Sequence, residues 1–133
     1  MSKVICYTKL HLPENYDENS WYFELFSKPL ESQDNVGYVG NGLLRELRRS
    51  KITPSSEALD FVIIAMSVVS ADKAILRRNS PDGWTRQINL EIPLQKAEEW
   101  EKVKDKLEKM LRFLSGDFWK LTFTQLPESI ALD

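Results

Sequence analysis

The chain has 133 residues, 42% of them hydrophobic and 29% charged, with a formal net charge of -2. That is the size and balance of one folded domain, which excludes a largely disordered chain and a whole-molecule affinity for polyanions or polycations. A single cysteine excludes an intramolecular disulfide, and a single histidine excludes a multi-histidine metal site.

Residues 3–12 alternate as a strand, with Val4, Cys6, Thr8, Leu10 and Leu12 on one face and Ile5, Tyr7, Lys9 and His11 on the other. Cys6 lies in an apolar run and reads as a buried, inert thiol. Residues 13–20 read as loop, and the aromatic-rich residues 21–26 as a second strand. Residues 27–42, with Pro29 and three glycines, read as the least structured stretch. A short helix is expected over residues 43–49.

The next helix begins near Pro54, with Thr53 as its cap and proline at its first position. From residue 58 to 71 it is apolar nearly all round, which predicts a helix covered on several sides and central to the core. The β-branched residues leave a buried strand as the competing reading of residues 61–64. Ser80-Pro81-Asp82-Gly83 predicts a tight turn. After it, residues 84–92 alternate as a strand, with Arg86 the one charge on its apolar face. Residues 74–78 are expected to pair with it as a hairpin arm.

Residues 94–114 predict a long helix with Ala97, Trp100, Val103, Leu107, Met110, Leu111 and Leu114 in one stripe, ended by Gly116. Trp119, Leu121 and Phe123 then mark a final strand. The expected fold is α+β: a mixed or antiparallel sheet of about four to five strands, packed with two long helices and one short one. Residues 1–126 form a single domain, and residues 127–133 a tail or linker. No signal peptide is visible, and the longest uncharged apolar run, residues 61–71, is too short to span a bilayer. A cytoplasmic protein without membrane association is expected.

No constellation demands catalysis. His11 sits at a strand end and reads as a rim residue. No cysteine pair and no HExxH occur. Asp60, Asp72, Asp82 and Asp117 could converge, but no spacing requires it. No catalytic, metal-ligating or cofactor-binding residue is therefore expected. The glycine-rich residues 37–42 lack the GK[ST] ending of a phosphate-binding loop and read as a plain helix entry. The helix after them carries Arg45, Arg48, Arg49 and Lys51, which could meet phosphate in a nucleotide or nucleic acid, or form a solvated face.

Residues 77–86 are the densest polar-aromatic cluster. Arg77, Arg78, Asp82, Trp84 and Arg86 surround one tight turn, and arginine and tryptophan are common interface anchors. They are the expected binding residues. If Arg86 points inward, its charge must find an acid, with Asp72 or Asp117 the candidate.

Asp60 with its apolar helix to Asp72, the core Ser80-Pro81-Asp82-Gly83-Trp84-Thr85-Arg86, and Leu111-Arg112-Phe113-Leu114-Ser115-Gly116-Asp117-Phe118-Trp119 occur in that order. Across residues 36–124 this pattern resembles the N-terminal region of QueC-like proteins of bacterial anti-phage gene clusters, relatives of 7-cyano-7-deazaguanine synthase. The resemblance implies an accessory domain beside a PP-loop ATP-pyrophosphatase, whose Ser-Gly-Gly-x-Asp-Ser signature does not occur here. It implies no ATP, metal or deazapurine site on any residue of this chain. The expected partner is a protein, or an adjoining PP-loop domain beyond the linker, and nucleic acid is the alternative.

Overall fold

Residues 1–30 and 34–131 are described by a computed structural model; residues 31–33 and 132–133, parts of the expected loop and tail, lie outside the described residues. Strands β1 (Ser2–Thr8), β2 (Trp21–Leu25) and β3 (Val36–Val39) come first. Helices α1 (Leu43–Arg49) and α2 (Ser56–Ala74) follow, then strand β4 (Gln87–Leu94), helices α3 (Ala97–Glu101) and α4 (Lys104–Ser115), and strand β5 (Phe118–Gln125). The strands form one sheet in the order β3-β2-β1-β4-β5, and every neighbouring pair is parallel.

The parallel sheet corrects the expectation of a mixed or antiparallel one. Residues 9–20 and 26–35 connect β1 to β2 and β2 to β3. At about a dozen residues, such connections are long enough to return the chain for parallel pairing. The strand order is that of the first five strands in a doubly wound sheet.

Register shows why the strands looked antiparallel. Val4 pairs with Leu90 and Leu90 with Leu121, so these side chains share one face. That face, with Cys6, Ile88, Ile92 and Trp119, joins Ile63, Ile64 and Ala71 of α2 and Leu111 of α4 in a single core. The opposite face carries the rows Lys3–Asn89–Lys120 and Ile5–Glu91–Thr122 and gives nothing to that core. Parallel strands usually lie between two helical layers and read as unbroken apolar runs. Here one face is polar, so the strands alternate as a half-exposed antiparallel sheet would. Over β1 and β2 this second face is covered by Tyr16, whose ring lies 4.8 Å from that of Tyr22 and whose hydroxyl donates to Tyr7 at 3.2 Å.

Several boundaries also differ from the sequence reading. β3 lies within the stretch read as least structured. Residues 74–78 form no hairpin arm: Ala74 ends α2, and Arg77–Asn79 is a single 3-10 turn. Helix α2 is capped by Ser55, whose Oγ accepts from the Ala58 N–H at 3.1 Å, rather than by Thr53. It is also not covered all round. Ile63, Ile64, Ser67 and Ala71 face the core, whereas Phe61 and Val69 are more than half exposed. The expected helix over residues 94–114 is two helices. α3 tightens at its end, where Val103 N–H donates to the Trp100 carbonyl, and α4 starts afresh. Of the expected stripe, Leu111 is buried while Met110 and Leu114 are exposed. Gly116 caps α4 at φ 79, the left-handed region where a β-carbon would be strained. Past β5 the chain docks back: Leu126 N–H donates to the Leu94 carbonyl, and Ile130 N–H to Gln95 Oε1 at 2.8 Å.

Cys6 is 2% exposed, and burial pushes its thiol up to about 12. Thiolate is the reactive form. A disulfide reagent at pH 8 should therefore leave the folded protein unmodified and react only once urea unfolds it. Rapid labelling of the native protein would contradict this burial.

Candidate functional site

The residues around the turn at 80–83 divide into a buried frame and an exposed tip. The frame is centred on Asp117, which follows the Gly116 cap and has a fully buried side chain. Its two oxygens take two arginines. Arg77 donates from Nη1 to Oδ1 at 2.9 Å and from Nη2 to Oδ2 at 3.0 Å, a bidentate pair. Arg86 donates to Oδ2 from Nη2 at 2.7 Å and from Nε at 3.1 Å, and its backbone N–H reaches Oδ1 at 2.9 Å.

Arg86 is 4% exposed and has all its remaining donors satisfied. Nη2 also reaches Asp72 Oδ1 at 2.6 Å, and Nη1 reaches the Asp72 and Ile75 carbonyls at 3.0 and 2.7 Å. Thus one guanidinium joins the end of α2 to the start of β5. Both acids foreseen as its partner are used. A buried charge is tolerated only when paired and hydrogen-bonded in this way. Burial by itself would push the Asp117 carboxyl up, but the bonds and charge of Arg86, with Arg77, outweigh it and hold the carboxyl below its ordinary range.

The turn itself is closed by Gly83 N–H donating to the Ser80 carbonyl at 2.9 Å, with Gly83 at φ 73. Asp82 is exposed, and its Oδ1 accepts from the N–H groups of Trp84 and Thr85 at 2.9 and 2.7 Å. These two bonds hold its carboxyl below the ordinary value. Arg77 also donates to the Trp84 carbonyl at 2.8 Å, and its guanidinium lies 5.2 Å from the indole centroid. Trp84 is nevertheless 69% exposed, and Arg78 is also exposed. At the amino-terminal edge of β1, β4 and β5 is a cleft of about 470 Å³ whose walls include Leu76, Pro81, Asp82 and Phe118.

Of the five expected binding residues, Arg77 and Arg86 therefore hold the fold, Asp82 closes the turn, and Trp84 and Arg78 face outward. The second role of Asp117, as partner of Arg77, was missed. Its only signal is an acid directly after a glycine helix cap. The alternative residues Arg45, Arg48, Arg49 and Lys51 are exposed on or just past α1, and Arg49 pairs with Glu46 at 3.4 Å. Asp60 and Asp82 stay apart from the Asp72–Asp117 pair, bonded instead to the N–H groups of residues 95–96 and 84–85. His11 is exposed.

Among the described residues no group of three or more His, Cys, Asp and Glu side chains could hold a metal ion, and no helix is long and apolar enough to cross a membrane. No family model, curated protein or solved structure matches this chain.

Proposed function

We propose that this chain is a non-catalytic interaction domain that presents Trp84 and Arg78 to a protein partner. By the resemblance over residues 36–124, that partner is a QueC-like PP-loop ATP-pyrophosphatase acting in anti-phage defence, in the cytoplasm. The observation that carries the reading is a tryptophan 69% exposed on a turn whose backbone is already fixed by Arg77 and Asp82. A side chain held this way loses little freedom on binding, and a large aromatic surface with one donor suits a partner pocket.

The test is the affinity of the purified chain for the PP-loop protein, measured by calorimetry. Trp84→Ala should weaken binding by about 2 kcal/mol or more, the range of an anchor residue. Its melting temperature should stay within a few degrees, because only the exposed stack on Arg77 is lost, worth about 0.5–1 kcal/mol. Unchanged affinity in both Trp84→Ala and Arg78→Ala would overturn the assignment. If the chain instead binds RNA or DNA, with affinity falling steeply as salt rises, the exposed cations of residues 45–51 carry the function.

A further inference from the structure

Three features meet at the opposite end of the sheet, over the carboxyl ends of β1 and β2. The first is a pair of adjoining cavities of about 470 and 200 Å³, which share Lys9, Phe26, Ser27 and Leu44 as walls. The larger is of mixed lining and carries Lys9, Lys28 and Arg45. The smaller is apolar, and Leu10, Leu25 and Ile130 lie in its walls. The second is Phe26 itself, between the two, with φ 64. A bulky side chain in left-handed backbone is a true outlier, and such strain gathers at ligand clamps. The third is Thr8, which ends β1 and lines the apolar cavity. It is 7% exposed, and its hydroxyl has no hydrogen-bond partner. An orphaned buried hydroxyl is unfavourable and calls for an explanation.

Position and charge agree. In an open parallel sheet, ligands bind outside the carboxyl ends of the strands, where the strand order reverses. Here that reversal lies between β1 and β4, and Thr8, at the carboxyl end of β1, lines the apolar cavity. Lys9, Lys28 and Arg45 have no ion-pair partner among the described residues. They outnumber the two acids on the cavity walls, Glu24 and Glu128. One end of this crevice is therefore cationic and the other greasy, with Thr8, whose buried hydroxyl is unpaired, in its wall.

We propose that the crevice binds a small organic phosphate of mononucleotide size. The phosphate lies against Lys9, Lys28 and Arg45, and the apolar or planar body lies in the cleft beside Phe26, where Thr8 gains its hydrogen bond. The site is separate from the Trp84 turn, so either can fail without the other.

The probes are AMP, phenyl phosphate, inorganic phosphate and adenosine, followed by amide chemical shifts of the full chain. AMP and phenyl phosphate should shift amides of residues 8–10, 26–28 and 42–45. Inorganic phosphate and adenosine should each bind at least about tenfold more weakly, since each lacks one half of the ligand. Lys9→Glu with Arg45→Glu, both exposed, should abolish binding without unfolding the protein. Thr8→Val should keep or raise the melting temperature, because an unpaired hydroxyl is removed, yet weaken AMP several-fold. If neither AMP nor phenyl phosphate moves those amides at about 5 mM, well above millimolar dissociation constants, the proposal fails. It fails also if adenosine binds as well as AMP, if inorganic phosphate does, or if the charge-reversed and Thr8→Val proteins bind AMP as the parent does.

Discussion

Asp117→Ala should be among the most damaging single substitutions in this chain, lowering stability by about 3–5 kcal/mol, because it strips a buried charge pair of one partner. Domains of this size have about 5–15 kcal/mol in total, so the loss is a large share. Arg86 would keep Asp72 and two carbonyls, but it would lose its only fully buried counter-charge. Arg77 would lose its bidentate partner, and the Arg86 N–H its acceptor. Urea unfolding should show a lower midpoint with an unchanged slope, and the melting temperature should fall by on the order of 10 °C. A double change, Arg86→Met with Asp117→Leu, should recover part of the loss, because two charges are then removed from the core together while Arg77 and the residue-86 N–H still lack their carboxylate acceptor. If Asp117→Ala instead melts with the parent protein, the network is ornamental and the fixed turn loses its foundation.

The same carboxylate predicts a pH dependence. Its folded pKa lies below the ordinary aspartate value, so the unfolded chain takes up a proton first as pH falls. The stability it contributes is then complete above about pH 5 and is lost below about pH 4, as pH falls toward the folded pKa. Acid titration of Asp117→Asn should show a shallower decline over that range than the parent. Equal slopes would mean that Asp117 titrates alike in both states.

Much of the Trp84 turn was legible because its chemistry is local. Pro81 and Gly83 fix a turn from sequence alone, and an inward Arg86 had to find an acid. Asp72 and Asp117 were the two within reach, and both are used. The sheet was less legible for a physical reason. Residues 87–94 and 118–125 alternate because one face of the sheet is polar, and alternation says how many faces are buried, not which way a neighbour runs. β3 was hidden because it is only four residues long and Gly37 interrupts it, although Val36, Tyr38 and Val39 favour strands. The outer face of α2 misled in the other direction. Phe61, Val62 and Val69 are apolar yet exposed, although the Phe61 ring stacks on that of Trp100 at 6.2 Å, so composition overstated the burial. Of the crevice at the carboxyl ends of β1 and β2 the sequence offered only Arg45, as one of four cations that could meet phosphate, since Thr8, Lys9, Ser27 and Arg45 come together only through parallel pairing and the docked tail.

Asp60 is the second position where a large effect is expected, and the sequence said nothing of its task. It lies on the inner face of α2 and is 0% exposed. Its Oδ1 accepts from the Gln95 N–H at 2.9 Å and its Oδ2 from the Lys96 N–H at 2.8 Å. Those two residues link β4 to α3, and Lys96 is the residue that starts α3 without a side-chain cap of its own. One carboxylate on α2 therefore holds the two N–H groups just ahead of α3, whose own first N–H donates to Gln125 Oε1 at 3.3 Å, and it ties helix to sheet at the end remote from Asp117. Asp60→Ala would leave two backbone donors unpaired as well as a small void, an expected loss of about 2–4 kcal/mol. Asp60→Asn separates the two causes. It keeps the volume and one acceptor, but turns an NH₂ toward the other N–H, so about half of the loss should remain. The amides of residues 95 and 96 report this directly by hydrogen exchange. In the parent they should be among the protected amides, in Asp60→Asn one should exchange faster, and in Asp60→Ala both should. Unchanged protection in Asp60→Ala would show that these N–H groups have another acceptor and that α2 is not tied to the sheet through Asp60.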